Sequence, residues 1–171
     1  MEPWPDLLTK QASYDLQMRK LLLITVVFGL VVAAPATPAR ADIGLGLFLG
    51  EPTGLDLKVG LGNRSGLDIL FGFTTFRDGR SGYGHVTYLV TPLVAQGDSV
   101  TVPIRIGIGA LLFGPGDNLS FGVRAPFELG LRMRSAPIEF YGELALALLF
   151  IDPANDLHAD LQGGLGFRIY F

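Results

Sequence analysis

Residues 121–133 of the chain read FGVRAPFELGLRM. Every odd-numbered position in this stretch is apolar, whereas the even-numbered positions hold only Gly, Arg, Pro or Glu. Successive side chains of a β-strand point to opposite sides, so this alternation predicts a strand with one apolar face and one polar face. The three charged side chains, Arg124, Glu128 and Arg132, all share the polar face.

The same two-residue period recurs in seven other segments, and no helical period competes with it after residue 42. These segments open with Ile43, Leu55, Leu67, Val86, Val100, Ile138 and Leu161. Turn-forming residues separate them, as in Glu-Pro-Thr-Gly at 51–54 and the Gly-Asn-Arg-Ser-Gly run at 62–66. Pro92, Pro103 and Pro126 fall inside predicted strands, and we expect them at bulges or at the rim because proline cannot donate to a ladder. Eight strands and seven connections are therefore predicted.

The polar faces of these strands carry six acidic and five basic side chains, whereas the apolar faces carry no charge. We expect the charged set to form a lumen charge network: Asp56, Lys58, Asp68, Arg105, Arg124, Glu128, Arg132, Glu139, Glu143, Asp160 and Arg168. A nearly neutral set suits an enclosed space, because an unpaired buried charge is costly. A static plug is the expected role of this network, and a gate for a small conductance is the alternative.

The charge-free apolar faces favour contact with lipid, where one Arg or Lys near the midplane costs about 2–4 kcal/mol. Every backbone polar group in a bilayer must be paired within the protein, so a lipid-facing sheet has to close on itself. Eight strands enclose a space just wide enough for side chains. Phe73, Phe121 and Phe150 are expected to form an aromatic girdle at one end, and Phe140 and Phe171 at the other. The predicted fold is an all-β, eight-stranded antiparallel transmembrane up-and-down β-barrel with a plugged interior.

The N-terminal segment has the pattern of a secretory signal peptide. Residues 21–34 are uncharged and mostly apolar, follow Arg19 and Lys20, and precede an Ala-Arg-Ala site at 39–41. Fourteen residues are too few for a membrane-spanning helix, which needs about 20. We predict a signal peptide over residues 18–41, cleaved before Asp42, with residues 1–17 as a spurious extension from an early start codon. Residues 42–171 are then the barrel.

Composition excludes several other classes of function. The 171 residues include no Cys, which rules out disulfides and thiolate metal sites. A net charge of −3 gives no basic footprint for nucleic acid. His85 and His158 are the only histidines and do not form a metal-ligand pattern. No catalytic, cofactor-binding or metal site is predicted, and the chain is not expected to be an enzyme.

Glu139 and Glu143 are the one carboxylate pair that invites a chemical interpretation, because paired carboxylates can act as acid and base. Three arginines, at positions 124, 132 and 168, are expected on the flanking strands. Salt bridges are therefore the predicted role of both glutamates.

From Asp42 to Phe171 the chain resembles the small eight-stranded outer-membrane barrels of Gram-negative bacteria and spirochaetes, of the outer-membrane protein A and X type. The stretch GEPTGL at 50–55, followed by Lys58 and Asp68, is similar to the opening of a family of short barrels. The final residues, 166–171, resemble the signal that the outer-membrane barrel assembly machinery reads, with Gly166, Ile169 and Phe171 as its key positions. Gly164 departs from the family, which usually has a polar residue there. The resemblance implies an outer-membrane location, lipids and the assembly machinery as partners, and no cofactor.

We therefore predict a small outer-membrane β-barrel protein with a plugged polar interior and a structural or envelope-maintaining role. Both termini are expected to face the periplasm, since the number of strands is even. Two alternatives stay open. An outer-membrane lipid-modifying enzyme would need a His–Ser/Thr–acid cluster at one rim, and a soluble periplasmic lipid-binding barrel would be released by osmotic shock without detergent.

Overall fold

The computed structural model describes residues 43–75, 81–114, 120–151 and 156–171, apart from the side chains of residues 151 and 156. The predicted extension and the predicted signal peptide lie outside the described residues. The prediction of eight strands is confirmed, and their bounds are β1 Ile43–Glu51, β2 Thr53–Gly60, β3 Ser65–Thr74, β4 Ser81–Gln96, β5 Val100–Gly114, β6 Ser120–Met133, β7 Ile138–Ile151 and β8 Asp156–Tyr170. No helix capable of crossing a bilayer is present among these residues.

The strands form a closed up-and-down barrel in which each strand pairs antiparallel with its sequence neighbours and β8 pairs with β1. We call the end where β1 begins and β8 ends the lower end, and the opposite end the upper end. Starting at Gly46 and stepping from each residue to its direct partner on the next strand leads around the barrel to His158 of β8. Across the β1–β8 seam, however, Gly46 pairs with Arg168, ten residues further along β8. This ten-residue stagger is what tilts the strands relative to the barrel axis.

The two faces of the sheet differ sharply in polarity. Along β6, side chains alternate strictly between buried and exposed from Ser120 to Leu131. The exposed positions are apolar, and the other strands extend this apolar surface around the barrel, with Phe71, Ile108 and Leu165 each at least 64% exposed. The apolar faces predicted from the sequence point outward, and the charged faces point inward.

Two local features differ from the sequence prediction. The turn predicted over residues 51–54 is shorter, because β1 continues through Glu51, β2 begins at Thr53, and only Pro52 lies between them. Pro92 agrees with the prediction, because it lies at a bulge where the β4–β5 register shifts between Val90 and Leu93. The second difference concerns Pro126. Pro126 is at neither a bulge nor a rim: it lies in the middle of β6, in register with Ala145 of β7. It removes one donor from the ladder without displacing the sheet.

Apolar and aromatic side chains fill part of the interior. They form one buried cluster of Phe48, Leu70, Tyr83, Leu111, Phe113, Tyr141, Ala147 and Leu149. Phe48 and Tyr141 stack with ring centroids 5.8 Å apart. Glycine makes this packing possible, because a Cβ on Gly166 would lie 2.2 Å from the Tyr141 ring. Most of this cluster comes from the upper parts of the strands, so the charged residues occupy a distinct, lower layer.

Candidate functional site

The lower layer of the interior holds most of the predicted lumen charge network. Nine of its eleven residues are buried: Asp56, Lys58, Asp68, Arg105, Arg124, Glu128, Glu139, Glu143 and Arg168. The other two, Arg132 and Asp160, are half-buried. Because these residues come from six strands and from widely separated parts of the sequence, the barrel closure is what brings them together.

Arg168, at 0% exposure, is the centre of the network. Its Nε donates to Asp56 Oδ2 at 2.5 Å, its Nη2 to Asp68 Oδ1 at 2.5 Å and its Nη1 to Glu128 Oε2 at 2.8 Å. The Tyr141 hydroxyl donates to the same Asp56 oxygen at 2.5 Å, and its ring lies 3.7 Å from the Arg168 guanidinium carbon. One guanidinium thus binds three carboxylates from three strands, a use of its donor fork that a lysine cannot reproduce.

Two further cations bind the same group of acids near the lower end. Arg105 donates to Glu128 and, through both terminal nitrogens, to Glu139, with 2.9 Å between Nη2 and Oε2. Lys58 Nζ donates to Glu128 Oε1 at 3.3 Å. The Tyr170 hydroxyl donates to Glu139 Oε2 at 3.1 Å. Each of these carboxylates therefore has more than one donor, which is what a buried charge requires.

His85 joins this group to a second ion pair, formed by Arg124 and Glu143. The His85 Nε2 atom lies 3.3 Å from Asp68 Oδ2, and Arg124 Nη1 lies 2.7 Å from each ring nitrogen. A neutral imidazole satisfies both neighbours when Nε2 donates to Asp68 and Nδ1 accepts from Arg124. His85 is thereby a bridge between a carboxylate and a guanidinium.

Glycines provide the space that the network occupies. Gly46 of β1 is the direct partner of both Asp56 on β2 and Arg168 on β8. The Arg168–Asp56 ion pair therefore spans a position that has no side chain. In the same way, a Cβ on Gly130 would lie 3.1 Å from both Arg105 Nη1 and Glu139 Oε1.

The half-buried residues, and Ile169 and Phe171 of the predicted assembly signal, lie toward the ends of the barrel. Arg132 packs its guanidinium carbon 4.0 Å from the centre of the Tyr170 ring at the lower end. Asp160 lies on the upper part of β8. Of the predicted assembly signal, Gly166 faces the Tyr141 ring inside the barrel, whereas Ile169 and Phe171 are exposed by 39% and 79%.

The titratable side chains of this site are buried and bound to one another. Among the described residues, His85, Asp68 and Thr87 lie on the inward face of β3 and β4, and all three are buried inside the barrel, not at a rim. Glu143 is engaged by Arg124 and Glu139 by Arg105. Within the described ranges, no group of three or more His, Asp or Glu side chains is placed to hold a metal ion. The chemistry of this site is mutual neutralisation of charge.

Five residues that bind or adjoin the network were not among the predicted site residues: His85, Tyr141, Tyr170, Tyr83 and Gln162. Tyr83 donates to Gln162 Oε1 at 3.0 Å, and the other two tyrosines donate to Asp56 and Glu139. The signal that identifies them is their position on the strand, since Tyr141 alternates with Phe140 and Tyr170 with Ile169 and Phe171. Tyrosines on the charged face of a strand are therefore expected to hydrogen-bond to the buried carboxylates, as Tyr141 and Tyr170 do.

Comparison of the chain with models of known protein families, with curated proteins and with solved structures found no match in any of the three. The fold and the site alone define the class of protein: a closed, eight-stranded antiparallel β-barrel with an apolar outer surface and a network of ion pairs inside.

Proposed function

We propose that the chain is a small outer-membrane β-barrel protein whose solid polar interior gives it a structural, envelope-maintaining role. The observation that carries this proposal is the inverted polarity of the barrel. Many large apolar side chains on the outward face are exposed, up to 79% at Phe171, whereas nine charged residues are buried inside. Water on the outside would leave an apolar surface far larger than the patches of a few hundred Å² found on soluble monomers.

The closed sheet supports a location in lipid. Each strand has two hydrogen-bonded neighbours, and the β1–β8 seam runs from Gly44 paired with Tyr170 to Glu51 paired with Gly163. Strands β4 to β8 have 14 to 16 residues, more than the 9–11 or so that cross a bilayer at a tilt. Aromatic residues near the ends of strands add to this, as in the Phe121–Phe150 stack, whose ring centroids lie 5.0 Å apart.

The interior favours a structural role over transport or lipid carriage. A lipid carrier needs an apolar cavity, whereas Arg168 and its carboxylates occupy the lower interior of this barrel. The upper interior holds the Phe48 and Tyr141 stack and its apolar neighbours. A buried network with several bonds per member resists the rearrangement that an open pore would require.

The route to the membrane completes the proposal. Residues 18–41 would act as the cleaved signal peptide, and Gly166, Ile169 and Phe171 would present the signal to the barrel assembly machinery. The outward orientation of Ile169 and Phe171 supports this role, because a receptor can reach exposed apolar side chains on the last strand. Outer-membrane lipids are then the proposed surroundings of the mature barrel.

Cell fractionation combined with site-specific labelling tests the proposal. The protein should require detergent for extraction and should migrate faster on gels before heating than after it. The chain has no Cys, so single cysteines can be introduced at Ile106, Leu129 and Leu146, with Ala145→Cys as the inward control beside Leu146. An environment-sensitive label should report acyl chains at the three outward positions only. Release by osmotic shock, or labels shielded from detergent at the outward positions, would instead indicate a soluble carrier.

The lipid-modifying enzyme is tested separately in the same preparation. His85→Ala and His158→Ala should leave the lipid composition of the membrane unchanged, because the structural role requires no reaction. Loss of a lipid-modifying activity in either variant would replace the structural role with the enzymatic one.

A further inference from the structure

The apolar outer surface of the barrel is much shorter on β1 and β2 than on later strands. On β1 the outward apolar side chains span residues 43–49, and on β2 they span residues 55–59, which are seven and five residues. On β6 the outward apolar side chains span residues 121–133, which are thirteen residues. We call β1 and β2 the short sector of the barrel.

The short sector is too low for the hydrocarbon of a flat bilayer. A strand rises about 3.3 Å per residue and a barrel strand tilts by about 40°, so each residue adds about 2.5 Å along the barrel axis. The apolar surface is then about 18 Å tall on β1 and about 13 Å tall on β2, compared with about 33 Å on β6. Because the apolar band of a transmembrane barrel is about 25 Å tall, the short sector lacks about 7–13 Å of it.

Polar groups end the short sector at its upper edge. Thr53, the first residue of β2, is exposed. The Glu51 carboxylate, at the end of β1, accepts a hydrogen bond from the Thr75 backbone N–H at 3.1 Å and another from the Thr75 hydroxyl at 2.6 Å. A carboxylate and hydroxyl groups are costly to place among acyl chains, so the hydrocarbon should end at the level of these residues.

A tilt of the whole barrel cannot remove the difference in height. Glu51 pairs directly with Gly163 across the β1–β8 seam, yet β8 extends seven residues above Gly163, and Leu161 among them is 69% exposed. Neighbouring strands lie about 4.8 Å apart, so a rigid tilt changes their relative height by no more than about that distance. The upper edge of the apolar surface therefore has a step at the seam, and the surrounding lipid has to adapt to it.

We propose that the barrel thins the bilayer beside its short sector, where phospholipid headgroups descend toward Glu51 and Thr53. This inference rests on the membrane location proposed above. A bilayer adapts to a short apolar surface by thinning locally, at a modest cost for each ångström of mismatch. Phospholipid fits the sector because its headgroups can meet the polar groups of the upper edge while its acyl chains cover the leucines below them.

Two outward positions at one height on different walls allow a direct test. Stepping from Leu55 of β2 to its direct partners on β3 and β4 leads to Leu112 of β5. The ten-residue stagger over eight strands is about 1.25 residues per strand, so the β5 residue level with Leu55 lies about four residues below Leu112. That residue is Ile108, which is 67% exposed, whereas Leu55 is 59% exposed.

Depth-dependent fluorescence quenching in phospholipid vesicles measures where these two positions lie. The full chain has no Cys, so Leu55→Cys and Ile108→Cys can each carry one fluorescent label. The vesicles contain phosphatidylcholine brominated either close to the headgroup or close to the chain ends. The bromine close to the headgroup should quench the Leu55 label more strongly than the deep bromine does, and the Ile108 label should show the reverse order.

A charge at the same two positions gives a second measurement. The cost of an arginine on the lipid face falls from the middle of the bilayer toward its surfaces. Leu55→Arg should therefore lower the folding equilibrium constant less than about fivefold, and Ile108→Arg should lower it at least about 30-fold. Equal effects of the two arginines would contradict the proposal.

The quenching pattern separates this inference from the proposed membrane location. Equal depths for the two labels would overturn the thinning and leave the location intact. Quenching of the Ile108 label alone would also overturn it, because a second copy or another protein would then cover the short sector in place of lipid. Quenching of neither label would refute the membrane location, and the thinning with it.

Discussion

Arg168 Nε donates a hydrogen bond to Asp56 Oδ2 at 2.5 Å, although strand β1 separates the strands that carry the two residues. The contact exists because Gly46 is the β1 residue between them. The Arg168–Asp56 ion pair therefore depends on the absence of a side chain at Gly46. The stability of the barrel should respond to changes in the ion pair or at Gly46.

Removing the central cation should destabilise the barrel strongly. Arg168→Met leaves Asp56, Asp68 and Glu128 without their shared partner, and breaking a buried ion pair typically costs about 3–5 kcal/mol. Arg64→Met, in an exposed turn, should change the free energy of unfolding by no more than about 0.5 kcal/mol. Urea titration, followed through the gel mobility of the unheated protein, measures both. Equal effects would show that the network does not hold the fold.

Filling the space at Gly46 should have a similar consequence. A Cβ there would lie 1.8 Å from Phe167 O, so Gly46→Ala must push β1 away from β8 and should cost at least about 1–3 kcal/mol. Gly62→Ala is the control, because its Cβ would meet nothing closer than Ser65 Oγ at 3.6 Å. The control should shift the free energy of unfolding by less than about 1 kcal/mol. A Gly46→Ala barrel as stable as the Gly62→Ala barrel would contradict the packing argument.

The two histidines should differ in their contribution to stability. His85→Leu removes the acceptor for Arg124 and the donor to Asp68 in a buried setting, which should cost about 1–3 kcal/mol. His158 is exposed on β8, so His158→Leu should change stability by less than about 0.5 kcal/mol. The same urea titration decides the matter. A neutral His85→Leu would mean that the two ion-pair groups do not depend on the bridge.

An introduced charge should report which solvent surrounds the barrel. Leu144 and Leu157 are both 60% exposed, but Leu144 lies in the middle of β7 and Leu157 is the second residue of β8. In lipid, Leu144→Arg should cost about 2–4 kcal/mol and Leu157→Arg only about 0–1 kcal/mol. Unfolding in phospholipid vesicles measures the difference. Similar small costs at both positions would place the outward face in water.

The strands and their faces could be predicted because the polarity of each residue indicates whether its side chain points into the barrel or out of it. Phe127, Glu128 and Leu129 alternate in polarity, which is a local pattern. In the structure Glu128 is buried and its two neighbours are exposed, as this pattern predicts. Charges of both signs on one face likewise indicated that they share the interior. The direction of each side chain depends on the two-residue period within its own strand and not on which strands pair with each other.

The pairing within the interior could not be predicted in the same way. The expected contact of Arg168 with a glutamate of the flanking strand is present, with 3.7 Å between its Nη1 and Glu139 Oε1. Its shortest contacts, however, are with Asp56, Asp68 and Glu128, on β2, β3 and β6. Those choices depend on the stagger of the closed sheet, which no single segment encodes. The bridging position of His85 follows from the same stagger.

The location of Arg168 on the last strand couples two events in the maturation of the barrel. Its three hydrogen-bonded acids precede it by 112, 100 and 40 residues, and only Glu128 among them also binds cations of earlier strands, Arg105 and Lys58. Docking of β8 closes the seam with β1 and delivers the guanidinium in one movement. A barrel without its last strand therefore lacks the guanidinium that Asp56 and Asp68 share, so closure of the seam and compensation of these two charges coincide.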